Sequence, residues 1–109
     1  MFERRGEFLV GLGESGLVVA MGGLKPLEKG KAEIKRFRVH PSYQRKGYGK
    51  QLLSSLEQKA KDLGIKHLIL DTLLNQLGAQ KFFEKNGYQQ NGPAIMDGFN
   101  VILYGKALA

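Results

Sequence analysis

Glu33-Ile34-Lys35-Arg36-Phe37-Arg38-Val39-His40-Pro41-Ser42-Tyr43-Gln44-Arg45-Lys46-Gly47-Tyr48-Gly49-Lys50-Gln51-Leu52-Leu53 is the stretch that decides the fold. It reads as a strand, a turn and the start of a helix in direct succession. Ala32 to Val39 alternates, with Ala32, Ile34, Arg36 and Arg38 on one side and Glu33, Lys35, Phe37 and Val39 on the other. Pro41 lacks an N–H and ends the strand. From Tyr48 to Leu63 the apolar positions Leu52, Leu53, Leu56, Ala60 and Leu63 mark one face of an amphipathic helix, and Gly64 is a good stop. Between the two, Gln44-Arg45-Lys46-Gly47-Tyr48-Gly49 has the form Q/R-x-x-G-x-G/A. Its glycines let backbone approach a ligand, and the following helix offers unpaired N–H groups and the positive end of its dipole. With Arg45, Lys46 and Lys50 adding charge, this turn is a seat for a pyrophosphate.

Upstream, Glu7 to Leu12 and Leu17 to Met21 are predicted strands joined by the turn Gly13-Glu14-Ser15-Gly16, a hairpin. Leu24 to Lys31 reads as a connection. Downstream, Ile65 to Asp71 carries the apolar run Leu68-Ile69-Leu70, a buried strand. A strand, helix, strand order implies a right-handed crossover and parallel pairing. Asn75 is placed to cap a helix over Gln76 to Lys85, which Asn86-Gly87 closes. Asn91-Gly92-Pro93 reads as a turn and Phe99 to Tyr104 as the last strand. The expected fold is a mixed α/β sheet.

The late helix ends in Ala79-Gln80-Lys81-Phe82-Phe83-Glu84-Lys85-Asn86-Gly87-Tyr88. This block and the glycine turn, in this order and about 30 residues apart, resemble two blocks of the GCN5-related N-acetyltransferase (GNAT) family. The resemblance runs from near Glu7 to Lys106. It implies the acyl-CoA N-acyltransferase fold in an N-terminally truncated form, without the usual first strand and first two helices. It also implies acetyl-coenzyme A as co-substrate, with acetyl passing to an amine. By this resemblance Gln44, Arg45, Lys46, Gly47, Tyr48, Gly49 and Lys50 hold the pyrophosphate. The backbone of Phe37, Arg38 and Val39 holds the pantetheine and the acetyl carbonyl, and Asn75 and Phe82 flank that arm. Glu33 is the candidate general base. Where the family carries a tyrosine that protonates the leaving thiolate, this chain has Phe83, which cannot do so. Tyr88 and Tyr104 are available by type.

Composition bounds the alternatives. The 109 residues, 42% apolar, suit one domain spanning 1–109. No apolar run reaches the roughly 18 residues of a membrane span, and the opening residues do not read as a secretory signal. The absence of cysteine removes disulfides, thiolate metal sites and a cysteine nucleophile, and is compatible with the cytoplasm. His40 and His67 lack ligand-spaced neighbours, so no metal is expected. The net charge of +7 favours anionic partners such as coenzyme A. Nucleic acid gives a similar signal, but the cofactor turn already accounts for the basic and aromatic residues around Tyr43 and Tyr48. Gly11-Leu12-Gly13-Glu14-Ser15-Gly16 fits G-x-G-x-x-G yet opens a strand-like segment, not a helix, and is read as a hairpin turn. The acceptor is a small-molecule or protein amine, and the truncation suggests a homodimer or an open site. A non-catalytic coenzyme A-binding module is the rival reading.

Overall fold

Seven strands and two α-helices frame the structure, a computed structural model that describes residues 2–5 and 8–109. They are β1 (Phe2–Arg5), β2 (Phe8–Leu12), β3 (Val18–Pro26), β4 (Lys31–Val39), α1 (Tyr48–Asp62), β5 (His67–Leu73), α2 (Leu77–Lys85), β6 (Gln89–Met96) and β7 (Phe99–Ala107). All seven strands join one sheet in the order β1-β2-β3-β4-β5-β7-β6. The first four form an antiparallel meander, β4 and β5 run parallel across the α1 crossover, and β7 lies antiparallel between β5 and β6. The G-x-G-x-x-G segment leads through a short 3-10 turn, Glu14–Gly16, into β3, so it opens a strand.

Several boundaries differ from the sequence reading. Glu7 lies outside the described residues, and a further strand, β1, precedes the hairpin. β3 continues to Pro26, because Leu24 is buried in the core opposite Ile34, and the connection is confined to residues 27–30. Asn91-Gly92-Pro93 is not the turn. It sits inside β6 where the register with β7 shifts, with Gly92 at φ +95. The reversal is Asp97-Gly98, both at positive φ, directly between the paired residues Met96 and Phe99. Asp-Gly is the dipeptide a two-residue hairpin of this twist favours.

The alternation in β4 breaks at Arg36, whose φ is +52. Arg38 pairs with Met21 and Lys35 with Gly23, so Arg36 and Phe37 together oppose the single residue Gly22. This β-bulge shifts the side-chain phase by one. Ala32 and Ile34 therefore face the core before it, and Phe37 and Val39 after it. Gly22 is what allows this: a Cβ there would lie 3.0 Å from Leu56 and 3.3 Å from the Phe37 ring.

Both helices cover one face of the sheet. Leu52, Leu53, Leu56 and Ala60 of α1 are buried against it, each leucine contributing about 1.5–3 kcal/mol of burial. Phe82 and Phe83 of α2 meet Phe37 at ring-centroid distances of 5.7 and 5.3 Å. Phe83 also meets Tyr88 edge to face at 5.5 Å. The second half of α1 and the C-terminal end of α2 are tied by polar contacts. Buried Tyr88 donates its hydroxyl to Glu57 of α1 at 2.8 Å, and Lys106 of β7 binds both Glu57 oxygens at 3.1 and 3.2 Å and the Asn86 carbonyl at 3.0 Å. Removing the shared acceptor takes the partner of the Tyr88 hydroxyl and leaves Lys106 only the Asn86 carbonyl. Glu57→Ala is expected to cost about 1–3 kcal/mol, read as a lower urea midpoint at unchanged m-value.

Candidate functional site

β4 and β5 begin as a parallel pair and then part. Only Lys31, Ala32 and Glu33 pair with His67, Leu68 and Ile69. Beyond Glu33, β4 runs to Val39 and β5 to Leu73 without a shared ladder, which leaves a wedge-shaped gap. Among the described residues, Ile34 to Val39 have no ladder partner on that edge, and main-chain groups left so seek one in a side chain, water or a ligand. Phe37, Arg38 and Val39 lie along it. Thr72 of β5, beyond the parting point, is buried, and its Oγ1 has no partner among the described residues.

At the wide end the chain turns into α1. The His40 N–H donates to the Val19 carbonyl at 2.7 Å, and His40 Nδ1 accepts from the Ser42 N–H at 3.1 Å, setting a 3-10 turn over Pro41–Tyr43. Gln44 donates its side-chain amide back to the Val39 carbonyl at 3.1 Å, so this side chain braces the loop. Arg45 sits at φ +62 and Gly47 at φ +87, with open space where a Gly47 Cβ would stand. Gly47 occupies the N-cap position of α1, and neither a side-chain cap nor an acidic residue in the first turn satisfies the first amides. Those amides, the dipole and exposed Arg45, Lys46 and Lys50 form a basic concave end. Tyr43 and Tyr48 pack edge to face at 5.7 Å beside it, with Lys46 over the Tyr43 ring. A Cβ at Gly49 would stand in ordinary contact with Phe82 at 3.5 Å and Val39 at 3.6 Å, so α1, α2 and β4 converge here on one wall of the gap.

Asn75 departs from its expected role. It lies in the turn after β5, and Gln76 holds the N-cap position of α2. The Gln76 side chain accepts from the Leu73 N–H at 2.9 Å, while buried Gln80 donates to the Leu73 and Leu74 carbonyls at 3.0 and 3.3 Å. The two tyrosines available by type are both engaged. Tyr88 donates to Glu57 and Tyr104 to Glu84, the latter at 2.6 Å. Burial, followed by these carboxylate contacts, raises both phenol pKa values. The Tyr104 hydroxyl and then Gln90 in turn lower that of Glu84. Phe83 is 5% exposed and closed in by Phe37, Phe82 and Tyr88.

Glu33, the last residue of β4 paired with β5, opens on the sheet face away from the helices. It borders a groove of about 490 Å³ that continues the gap between β4 and the β6–β7 hairpin. Asp71, Asp97 and Phe99 also line this groove. Sequence reasoning did not find them, although Asp97-Gly98 was a legible turn that puts its neighbours at a hairpin tip. Among the described residues no cluster of three metal-ligating side chains occurs, and no helix is long and apolar enough to cross a membrane.

The sequence profile of the acetyltransferase (GNAT) family matches residues 1–88. An uncharacterized N-acetyltransferase of Bacillus subtilis, YycN, is 37% identical over 59 residues, covering 54% of this chain and 38% of that protein. The chain thus spans about two fifths of the length of that curated relative. A Klebsiella pneumoniae structure assigned as an acyl-CoA N-acyltransferase superposes with a TM-score of 0.83 at 28% identity, covering 94% of this chain and 72% of that one. A Bacillus anthracis protein assigned as a streptothricin acetyltransferase, solved with acetyl coenzyme A, shares the fold with a TM-score of 0.83 at 24% identity, covering 94% and 62%. Parted parallel strands, a glycine turn at an uncapped helix and these matches agree: the chain belongs to the acetyltransferase (GNAT) family.

Proposed function

We propose that residues 1–109 form one acetyltransferase unit that moves acetyl from acetyl-coenzyme A to a primary amine by direct attack. The observation that carries this reading is the parting of β4 and β5, which joins the basic turn at one end to the Glu33 groove at the other. The residues present fit the co-substrate. Open space over Gly47, the unsatisfied first amides of α1 and the partnerless Thr72 hydroxyl each call for a polar ligand along this path. Bound there, acetyl-coenzyme A supplies a thioester whose carbonyl carbon gains a C–N bond as its C–S bond breaks, releasing coenzyme A as thiolate.

Arg45, Lys46, Lys50 and the first amides of α1 bind the pyrophosphate. The free edge of Phe37, Arg38 and Val39 aligns the pantetheine and offers an N–H to the carbonyl oxygen as it gains charge. Phe82 and Val39 exclude water from one side. Glu33 takes the proton that the amine nitrogen must lose, directly or through water, since a free alkylamine titrates near ~10.4. A thiol titrates near ~8.5, so the thiolate departs without an acid from Phe83, Tyr88 or Tyr104. Asn75 borders the arm from the turn before α2, and the cytoplasm suits the reaction.

One observation favours a second reading, a module that binds coenzyme A without turnover: position 83 carries no hydroxyl, and both nearby tyrosines are committed elsewhere. Phe83→Tyr separates the two. Turnover that appears or rises with the hydroxyl supports the enzyme. No turnover in either form over a broad amine panel, with acetyl-coenzyme A still bound, supports the module.

Acetyl-coenzyme A at about 100 times its Kd should add roughly 2.7 kcal/mol of stability and raise Tm, whereas ATP and NAD should not match it. Gly47→Glu is expected to abolish that rise, because it combines a strained left-handed backbone with a negative charge at the phosphate seat. A normal rise in this variant would move the phosphate site elsewhere. Glu33→Gln is expected to lower kcat by about a hundredfold or more and leave the Tm rise unchanged. An unaltered pH–rate profile would take the base role from Glu33.

A further inference from the structure

The groove beyond Glu33 has two differently charged walls. Lys25, Lys35 and Arg36 come from β3 and β4, while Asp71 and Asp97 come from β5 and the β6–β7 turn, with Glu33 between them. None of these six side chains has an ion pair or a hydrogen bond among the described residues. Leu73, Met96 and Phe99 add an apolar rim, and Phe99 is 61% exposed. Strict alternation would put Lys35 and Arg36 on opposite faces, but the bulge at Arg36 brings both to the groove. A left-handed non-glycine residue is a strained conformation that often marks a functional site.

We propose that the acceptor is a free α-amino acid with a large apolar side chain. This rests on the acetyltransferase reading above. A simple amine can meet Glu33, Asp71 and Asp97 but offers no anion to Lys25, Lys35 and Arg36, and a polyamine adds further positive charge beside them. An anion without nitrogen cannot accept acetyl. A zwitterion meets both walls. Its ammonium lies by Glu33 and Asp71, and its carboxylate by Lys35 and Arg36. Lys35 is two residues along the strand from Glu33, about 7 Å, a spacing from which both side chains reach adjacent groups of one small molecule. The apolar side chain then packs on Met96 and Phe99, where its burial removes exposed apolar surface.

The test is release of thiol from acetyl-coenzyme A with four amines. They are phenylalanine, phenethylamine (the same body without carboxylate), glycine (no apolar body) and spermidine (no anion). Phenylalanine is expected to exceed each of the others in kcat/KM by about tenfold or more. Arg36→Gln should raise KM for phenylalanine by about tenfold, narrow its margin over phenethylamine, and be rescued in part by Arg36→Lys. Phe99→Ala should narrow the margin of phenylalanine over glycine. Equal or better rates with phenethylamine or spermidine would overturn the proposal. Phenylalanine binding in the presence of coenzyme A, measured by calorimetry, is the readout if no amine turns over. Binding that weakens in Arg36→Gln would keep the groove assignment while the transfer reading falls, and absence of binding would overturn the groove assignment too.

Discussion

A single residue in a left-handed conformation organises this protein. Arg36 at φ +52 lets two residues of β4 stand opposite one of β3, and Gly22 is the one residue small enough to face them under α1. Through Glu33, β4 behaves as an interior strand, paired on both sides. Beyond it and across the bulge, β4 keeps β3 without β5. The same shift turns Phe37 and Val39 toward the helices, so the strand that leaves its neighbour still buries its apolar side chains. The gap is thus open at the level of the backbone and closed by aromatic rings beneath.

Charge and polarity are divided between the two ends of that gap. The helix-start end has fixed positive character that depends on backbone amides as much as on lysine and arginine, and it suits a group whose charge never changes. The Glu33 end mixes both signs. The hydroxyls of Tyr88 and Tyr104 are kept out of both ends. They are spent on Glu57 and Glu84, where they join helices to strands. This separates the groups that hold the fold together from those left free to meet a ligand.

The glycine turn, the helix behind it and the strand before it were legible because each rests on local chemistry: a period of 3.6, a proline stop, and glycines ahead of an amphipathic run. The parallel crossover from β4 to β5 followed from element order alone. Phase in β4 was not legible, because a bulge placed by packing against Leu56 overrides strict alternation, and nothing near Arg36 in sequence announces it. Asn91-Gly92-Pro93 misled because its glycine and proline serve a register shift within a strand, while the true reversal used the equally visible Asp97-Gly98. Asn75 looked like a cap by residue type, yet the Gln76 side chain, accepting from the Leu73 N–H, set the start of α2 one residue later. The groove residues come from strands far apart in sequence, and only tertiary structure brings them together.

The knot of Glu57, Tyr88, Asn86 and Lys106 has a mechanical consequence. It fastens the second half of α1 to the C-terminal end of α2 and to β7, through three side chains and the Asn86 carbonyl. The two helices that flank the gap are thereby held to each other by groups outside it, so the spacing of the walls is set by contacts other than those left free for a ligand.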